Sequence, residues 1–224
     1  MQWRHEYKHS LNYGDYIILR DRLRHVMLRD AHVDENGEYK VRSLYFDTPG
    51  DKALREKIDG VDRREKFRIR RYLGNADYIR VEKKSKVHGM CYKQSERILA
   101  EEVTALQNGD LTWMAEDQRE LIRELYSKIR SQQLKPKTVI DYIREPFICM
   151  AGNVRITFDR DIRTGLFSTD FMKDDLPTIK AGDEIVLLEV KYDQFIPEHI
   201  VKVLQLEARR ASAVSKYALC RMYG

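Results

Sequence analysis

Cysteine is scarce in these 224 residues. The three, Cys91, Cys149 and Cys220, are far apart and odd in number, which argues against a disulfide framework or a zinc knuckle and fits a reducing compartment. No stretch approaches the roughly 18 continuous apolar residues of a membrane span, and the opening MQWRHEYKHS holds no apolar signal region. A cytoplasmic protein with no membrane segment in this chain is expected. None of the six histidines stands at a ligand spacing such as His-Glu-x-x-His, so histidine is set aside as a metal ligand. Internal repeats, low-complexity stretches and linkers are lacking too, and one domain over residues 1–224 is expected.

Net charge is also modest, at +5, which excludes a polycation that binds any anion by bulk attraction. Yet 34% of the residues are charged, well above the usual quarter, so the placement of the charges is what carries information. Ser10 to Arg29 has helical spacing in Leu11, Ile18 or Leu19, Leu23 and Val26 or Met27, with Ser10 or Asn12 as the cap. Tyr39 to Asp47 reads as a strand that stops at Thr48-Pro49-Gly50, followed by a short helix over Asp51 to Ile58. Arg63 to Leu73, Tyr78 to Val87 and Met90 to Leu99 form a meander around Gly74-Asn75 and His88-Gly89. A helical pattern then runs from Glu101 to Gln132 and ends at Lys135-Pro136. Strands follow over Val139 to Met150, Val154 to Arg163 and Glu184 to Tyr192, with a less regular segment over Leu166 to Ile179. After Pro197 a helix carries Ile200, Val203, Leu204 and Leu206, and Ser215 to Tyr223 adds a last turn or two. Seven or eight strands with helices between them point to an α+β antiparallel barrel.

Side chains two apart on a strand share a face, which makes the charged strands legible. Lys66, Arg68 and Arg70 lie opposite Phe67 and Ile69. Arg80, Glu82, Lys84 and Lys86 lie opposite Ile79 and Val81, and Glu189 and Lys191 lie opposite Leu188 and Val190. Glu6-Tyr7-Lys8 repeats the Glu-x-Lys spacing. A sheet with its charged face in water explains any one of these strands. If the strands close into a barrel under outer helices, however, the charges line its interior. Two like charges about 6 Å apart repel by roughly 3 kcal/mol at an effective dielectric of about 20, so such a lining needs water, carboxylates or a bound polyanion. Phosphate suits arginine forks and lysine ammonium groups, and the interspersed glutamates suit Mg²⁺ or Mn²⁺.

Taken together, Glu6-Tyr7-Lys8, Ser43-Leu44-Tyr45-Phe46-Asp47-Thr48, the run from Arg64 to Tyr72, Glu82-Lys83-Lys84, Tyr142-Ile143-Arg144, Leu188-Glu189-Val190-Lys191-Tyr192 and Ser215-Lys216-Tyr217 resemble the triphosphate tunnel metalloenzyme superfamily. The likeness is closer to its VTC branch, the polyphosphate polymerase domain of the vacuolar transporter chaperone complex, and it spans nearly the whole chain. It implies an eight-stranded antiparallel β-barrel, the triphosphate tunnel, with charges facing in. It also implies Lys8, Arg68, Arg70, Lys84, Arg144, Arg155, Lys191 and Lys216 as phosphate ligands, with Lys93 matched through the looser Tyr92-Lys93-Gln94-Ser95. Glu189 is implied as the metal-binding carboxylate and Glu6 as a second. The sequence departs from the superfamily where Arg4 stands in place of the first glutamate of Glu-x-Glu-x-Lys. The SPX domain and membrane helices of the eukaryotic complexes are not in this sequence, and a membrane-protein partner is left open.

The resemblance therefore implies a metal-dependent phosphotransferase with Mn²⁺ or Mg²⁺ as cofactor and ATP and polyphosphate as partners. Phosphoryl transfer to an anionic acceptor needs alignment and charge stabilisation rather than a general base, which suits a site without a histidine or serine nucleophile. A triphosphatase acting on inorganic triphosphate or nucleoside triphosphates is the alternative on the same fold. A noncatalytic polyanion-binding domain is the alternative outside enzymes. Specific nucleic-acid binding is not expected, because the charges alternate with apolar residues instead of forming surface stripes with exposed aromatics.

Overall fold

The computed structural model describes residues 4–182, 185–205 and 214–222, with the backbone alone at 75–77. The elements are β1 (His5–Leu11), α1 (Tyr13–Arg24), β2 (Leu28–Arg29), β3 (Tyr39–Asp47), α2 (Lys52–Ile58), β4 (Arg64–Tyr72), β5 (Asn75–Val87) and β6 (Met90–Arg97). They continue with α3 (Ala100–Gln107), α4 (Glu120–Gln132), β7 (Lys135–Cys149), β8 (Val154–Thr164), β9 (Ile179–Lys180), β10 (Val186–Tyr192), α5 (Glu198–Leu204) and α6 (Lys216–Met222).

The fold is α+β. Eight strands form one antiparallel sheet in the order β1-β10-β8-β7-β3-β4-β5-β6, and the short β2 and β9 pair with β7 and β8. Register shifts at Tyr45/Phe46, Arg71/Tyr72 and Asp141/Ile143 bend the strands and help the sheet curl. The curl brings the edge strands together at one backbone pair beside β1, where Arg4 N–H donates to Cys91 O at 3.2 Å and Cys91 N–H to Arg4 O at 3.4 Å. Among the described residues the barrel is thus a curled sheet stitched at that pair rather than a ladder continuous all the way round.

The alternation sorts the faces. On the outside, Leu44, Phe46, Phe67, Ile69, Ile79 and Val81 form one core with Val103 of α3 and Leu121, Ile122 and Leu125 of α4. Phe147, Ile156, Phe158, Leu188 and Val190 form another with Tyr16, Leu19 and Leu23 of α1 and Ile200 of α5. Each buried Leu or Ile contributes about 2 kcal/mol, so these two cores drive the helices onto the outer face. The third cluster lies inside, where Val41, Tyr45, Ile140, Tyr142 and Leu187 meet Tyr217 and Cys220 of α6. The C-terminal helix therefore packs against the inner face.

Several boundaries differ from those expected. Ser10 pairs with Leu187 in β1, and α1 begins after Asn12, whose side chain accepts the Asp15 amide at 2.8 Å. The long helix over Glu101 to Gln132 is broken between α3 and α4, where Asn108-Gly109-Asp110 turns the chain with Gly109 at φ +84°. The helix ends at Gln132 as expected, and Lys135-Pro136 opens β7 ahead of the expected start at Val139, with Pro136 facing Phe46 across the sheet. Most of the segment over Leu166 to Ile179 is irregular; Arg71 Nη2 holds it through the Met172 carbonyl at 3.2 Å, and Arg42, itself forked onto Asp141 at 2.8 Å, holds the Lys173 carbonyl. Gly152, at φ +71°, turns β7 into β8 so close to the Phe195 carbonyl that a Cβ would lie 2.2 Å from its oxygen. Glu184, Leu206 and Tyr223, placed at the ends of expected elements, lie outside the described residues.

Candidate active site

Directly paired residues of an antiparallel ladder point to the same side, so the register lays out the inner face. Lys8, Glu189 and Thr157 form one row across β1, β10 and β8, and Glu6, Lys191 and Arg155 form the next. Tyr45, Arg68, Glu82 and Ser95 cross β3 to β6, with Lys66, Lys84 and Lys93 as the adjacent row. Arg144 faces Asp159 across β7 and β8. Helix α6 adds Lys216 from within.

These charges are organised around four carboxylates. Glu189 is met by Lys8 at 2.6 Å, Lys191 at 2.8 Å, Lys216 at 3.2 Å and Arg144 at 3.7 Å. Asp159 takes the Arg144 fork at 2.5 and 2.6 Å and pairs with Lys216. Glu82 binds Arg68 at 2.6 Å, Lys93 at 2.5 Å and Arg70 at 3.7 Å. Glu6 pairs with Lys84 and lies 3.0 Å from the same Lys8 ammonium that holds Glu189. Burial works to raise all four acids, but the surrounding cations prevail. Glu189 is held well below the usual range by Lys191, Lys216, Lys8 and Arg144, and Glu82 by Arg70, Arg68 and Lys93. Glu6 and Asp159 are lowered in the same way. All four are carboxylates at neutral pH.

Of the residues implied by the resemblance, Lys8, Arg68, Arg70, Lys84, Lys93, Arg144, Lys191 and Lys216 come together on this face with Glu6 and Glu189. Arg155 shares the face by register, but its guanidinium turns to Asp30 at 2.7 Å and the Tyr39 hydroxyl at 3.0 Å, away from the central carboxylates. Sequence reasoning passed over Glu82, Asp159 and Lys66 as site residues, although alternation alone puts Glu82 and Lys66 on the charged faces of β5 and β4. It also missed Tyr45 and Tyr142, whose hydroxyls accept from Arg68 at 2.8 Å and Arg70 at 2.9 Å. Tyr142 sits amid Arg144, Arg70 and Lys216, which lower its phenol against the opposing effect of burial.

Several buried polar atoms on this face have no hydrogen-bond partner among the described residues: Arg70 Nε and the hydroxyls of Ser43, Ser95 and Thr157. Each hydroxyl stands beside a charged residue in register: Ser43 beside Arg70, Ser95 beside Glu82 and Thr157 beside Glu189. A polar ligand or ordered water satisfies such atoms. For a divalent cation, the donors that fit are Glu6 and Glu189, hard oxygen ligands brought together by Lys8. Among the described residues no group of three His, Cys, Asp or Glu side chains is placed to hold a metal alone, so this pair fits a cation that phosphate oxygens or water also coordinate.

The architecture is a curled antiparallel sheet with helices outside and a cation-rich, carboxylate-braced inner face. The model of the VTC domain family matches residues 3–223, and the chain belongs to that family. Its fold is similar to that of a candidate adenylate cyclase from Bacillus halodurans, at 14% identity over 91% of this chain and 87% of that one with a TM-score of 0.52. It is also similar to protein PH1819 from Pyrococcus horikoshii OT3, at 13% identity over 99% of each chain with a TM-score of 0.50. No curated protein matches the chain. Among the described residues no helix is long and apolar enough to cross a membrane.

Proposed function

We propose that this chain is a polyphosphate polymerase that moves the γ-phosphate of ATP onto the end of a polyphosphate chain held against the inner face. The observation that carries the reading is the excess of cations over carboxylates on one enclosed face, with further donors on Arg70 and three hydroxyls left for acceptor oxygens. A terminal phosphate oxygen attacks the γ-phosphorus, the bond to the β-phosphate oxygen breaks, and ADP departs. The attacking oxygen is anionic, so no side chain needs to take its proton. Arg68, Arg70 and Arg144 clamp nonbridging oxygens, each held in place by a carboxylate or a tyrosine hydroxyl. Lys8, Lys84, Lys93, Lys191 and Lys216 follow the chain. Mn²⁺ or Mg²⁺ held by Glu189 and Glu6 would neutralise charge on the transferring phosphates.

Incubation of the purified protein with ATP and Mn²⁺, with products resolved on a gel for phosphate chains and assayed for free phosphate, tests the reading. Long chains with stoichiometric ADP are expected. Free phosphate without chains would make the protein a triphosphatase, and binding without turnover a polyanion-binding domain.

A further inference from the structure

One lysine on the inner face stands apart from the others. Lys66, Lys84 and Lys93 are direct register partners across β4, β5 and β6 and form a row of three ammonium-bearing side chains. Lys84 is neutralised by Glu6, and Lys93 by Glu82 at 2.5 Å. Lys66 has no carboxylate within ion-pair distance among the described residues. Its Nζ lies 5.9 Å from the centroid of the Tyr45 ring, and Arg68 already occupies that tyrosine from 5.7 Å and through its hydroxyl.

The surroundings explain the isolation. From β5, β1 and β4 the groups that act on Lys66 are Lys84, Lys8 and Arg68, opposed by Glu6 alone, whose oxygens are engaged by Lys84 and Lys8. Lys52 and Glu56 of α2, Lys128 of α4, Asp47 and Glu65 line the cleft on its other side. Glu65 is held by Lys128 and Lys83, and Glu56 lies 3.9 Å from Lys52. Asp47 is consumed by the amides of Thr48, Ala53 and Leu54 and by Tyr217. Among the described residues none of these acids pairs with Lys66. Burial first, then Lys84, Lys8 and Arg68, push its ammonium well below the usual lysine range.

We propose that Lys66 is a further phosphate-contacting residue, and that a phosphate chain lying across the Lys66–Lys84–Lys93 row supplies its missing anion, so that binding takes up a proton onto Lys66. Glu189 and Glu6 hold Lys8 charged and Glu82 holds Arg68 charged, whereas burial pushes Lys93 down to about 8 against the pull of Glu82, so the uptake that belongs to Lys66 is the part lost when Lys66 is replaced. A phosphate oxygen beside Lys66 reverses the local balance of charge, and the amine gains H⁺ from the medium as the chain docks. Chain affinity then falls as pH rises from the range in which free Lys66 loses its proton to that in which bound Lys66 does, and levels off beyond it. The inference rests on the reading of the inner face as a polyphosphate site and adds proton-linked binding to it.

Calorimetric titration of tripolyphosphate into the full chain, without metal, in two buffers of different ionisation enthalpy at about pH 8 counts the protons taken up. Three proteins are compared: wild type, Lys66→Arg and Lys66→Met. Because arginine stays charged throughout, Lys66→Arg should bind within a few-fold of wild type while taking up about one proton fewer. Lys66→Met should show the same loss of uptake with affinity lowered about tenfold. Uptake in both variants equal to that of wild type overturns the inference while leaving the phosphate site intact. Failure of wild type to bind tripolyphosphate overturns the site itself. Should one variant not fold, the other decides: proton uptake below that of wild type supports Lys66, and equal uptake overturns it.

Discussion

The Tyr217 hydroxyl donates a 2.8 Å hydrogen bond to Oδ2 of Asp47, and this contact ties the C-terminal helix to the corner between β3 and α2. Oδ1 of the same carboxylate accepts the amides of Thr48 and Ala53, and Oδ2 also accepts that of Leu54, so Asp47 satisfies the start of α2 although the Asp51 side chain, turned to Arg221 and Lys137, makes no capping bond. Tyr217 is the neighbour of Lys216, so the bond also sets where that ammonium meets Glu189 and Asp159.

Asp47→Ala should therefore cost more than Tyr217→Phe. The phenylalanine loses one buried hydrogen bond, about 1 kcal/mol, whereas the alanine strands several buried amides and the tyrosine hydroxyl, about 3 kcal/mol. Urea denaturation of the two variants checks the order. Equal losses would show that Asp47 does not cap α2.

Glu189→Gln should abolish metal-dependent turnover while leaving tripolyphosphate binding measurable. Neutralising Glu189 removes the carboxylate shared by Lys8, Lys191, Lys216 and Arg144, so stability should fall by about 3 kcal/mol. Added tripolyphosphate should then raise the melting temperature of the variant more than that of wild type. Unchanged turnover would remove Glu189 from the metal site.

The pH dependence of stability follows from Glu82. Its folded-state pKa is lowered, so its contribution is complete above the ordinary glutamate value of 4.5 and is lost as pH falls through the lower folded value. Glu82→Gln should cost about 3 kcal/mol at pH 7. The difference from wild type should shrink as the buffer is taken well below 4.5. Urea unfolding across that range measures both, and a difference independent of pH would refute the assignment.

Arg144→Lys should lose most of the activity even though the charge is kept. The guanidinium forks onto Asp159 through Nε and Nη2 and lies over the Tyr142 ring at 5.3 Å, a planar arrangement that an ammonium does not reproduce. A fall in chain synthesis of about a hundredfold, with thermal stability reduced by about 2 kcal/mol, is expected. Full activity in the lysine variant would exclude a bidentate role.

Much of the fold is legible locally. The strand expected over Tyr39 to Asp47 forms over those residues, and β4, β6 and β8 start or stop within a residue or two of their expected ends, because alternation and turn residues act at short range. The helix over Glu101 to Gln132 divides because Gly109 and its neighbours form a turn that the flanking apolar spacing hides. In the site, alternation gives the charged faces of β4, β5 and β10 and so the side of Glu82 and Lys66. Nothing local tells that Asp30 draws Arg155 aside or that Asp159 receives both Arg144 and Lys216.

The sequence by itself determined which side chains share a strand face, since that follows from the two-residue period of an extended backbone, and it determined the surplus of positive charge on those faces. Only the tertiary structure decided that these faces turn inward, through the outer cores and the meeting of β1 with β6. It also decided which cation each carboxylate serves, because register, strand bends and the entry of α6 are set by contacts between distant segments. The charged strands thereby become a face where Glu6, Glu82, Asp159 and Glu189 brace the cations and Lys66 is left without an acid.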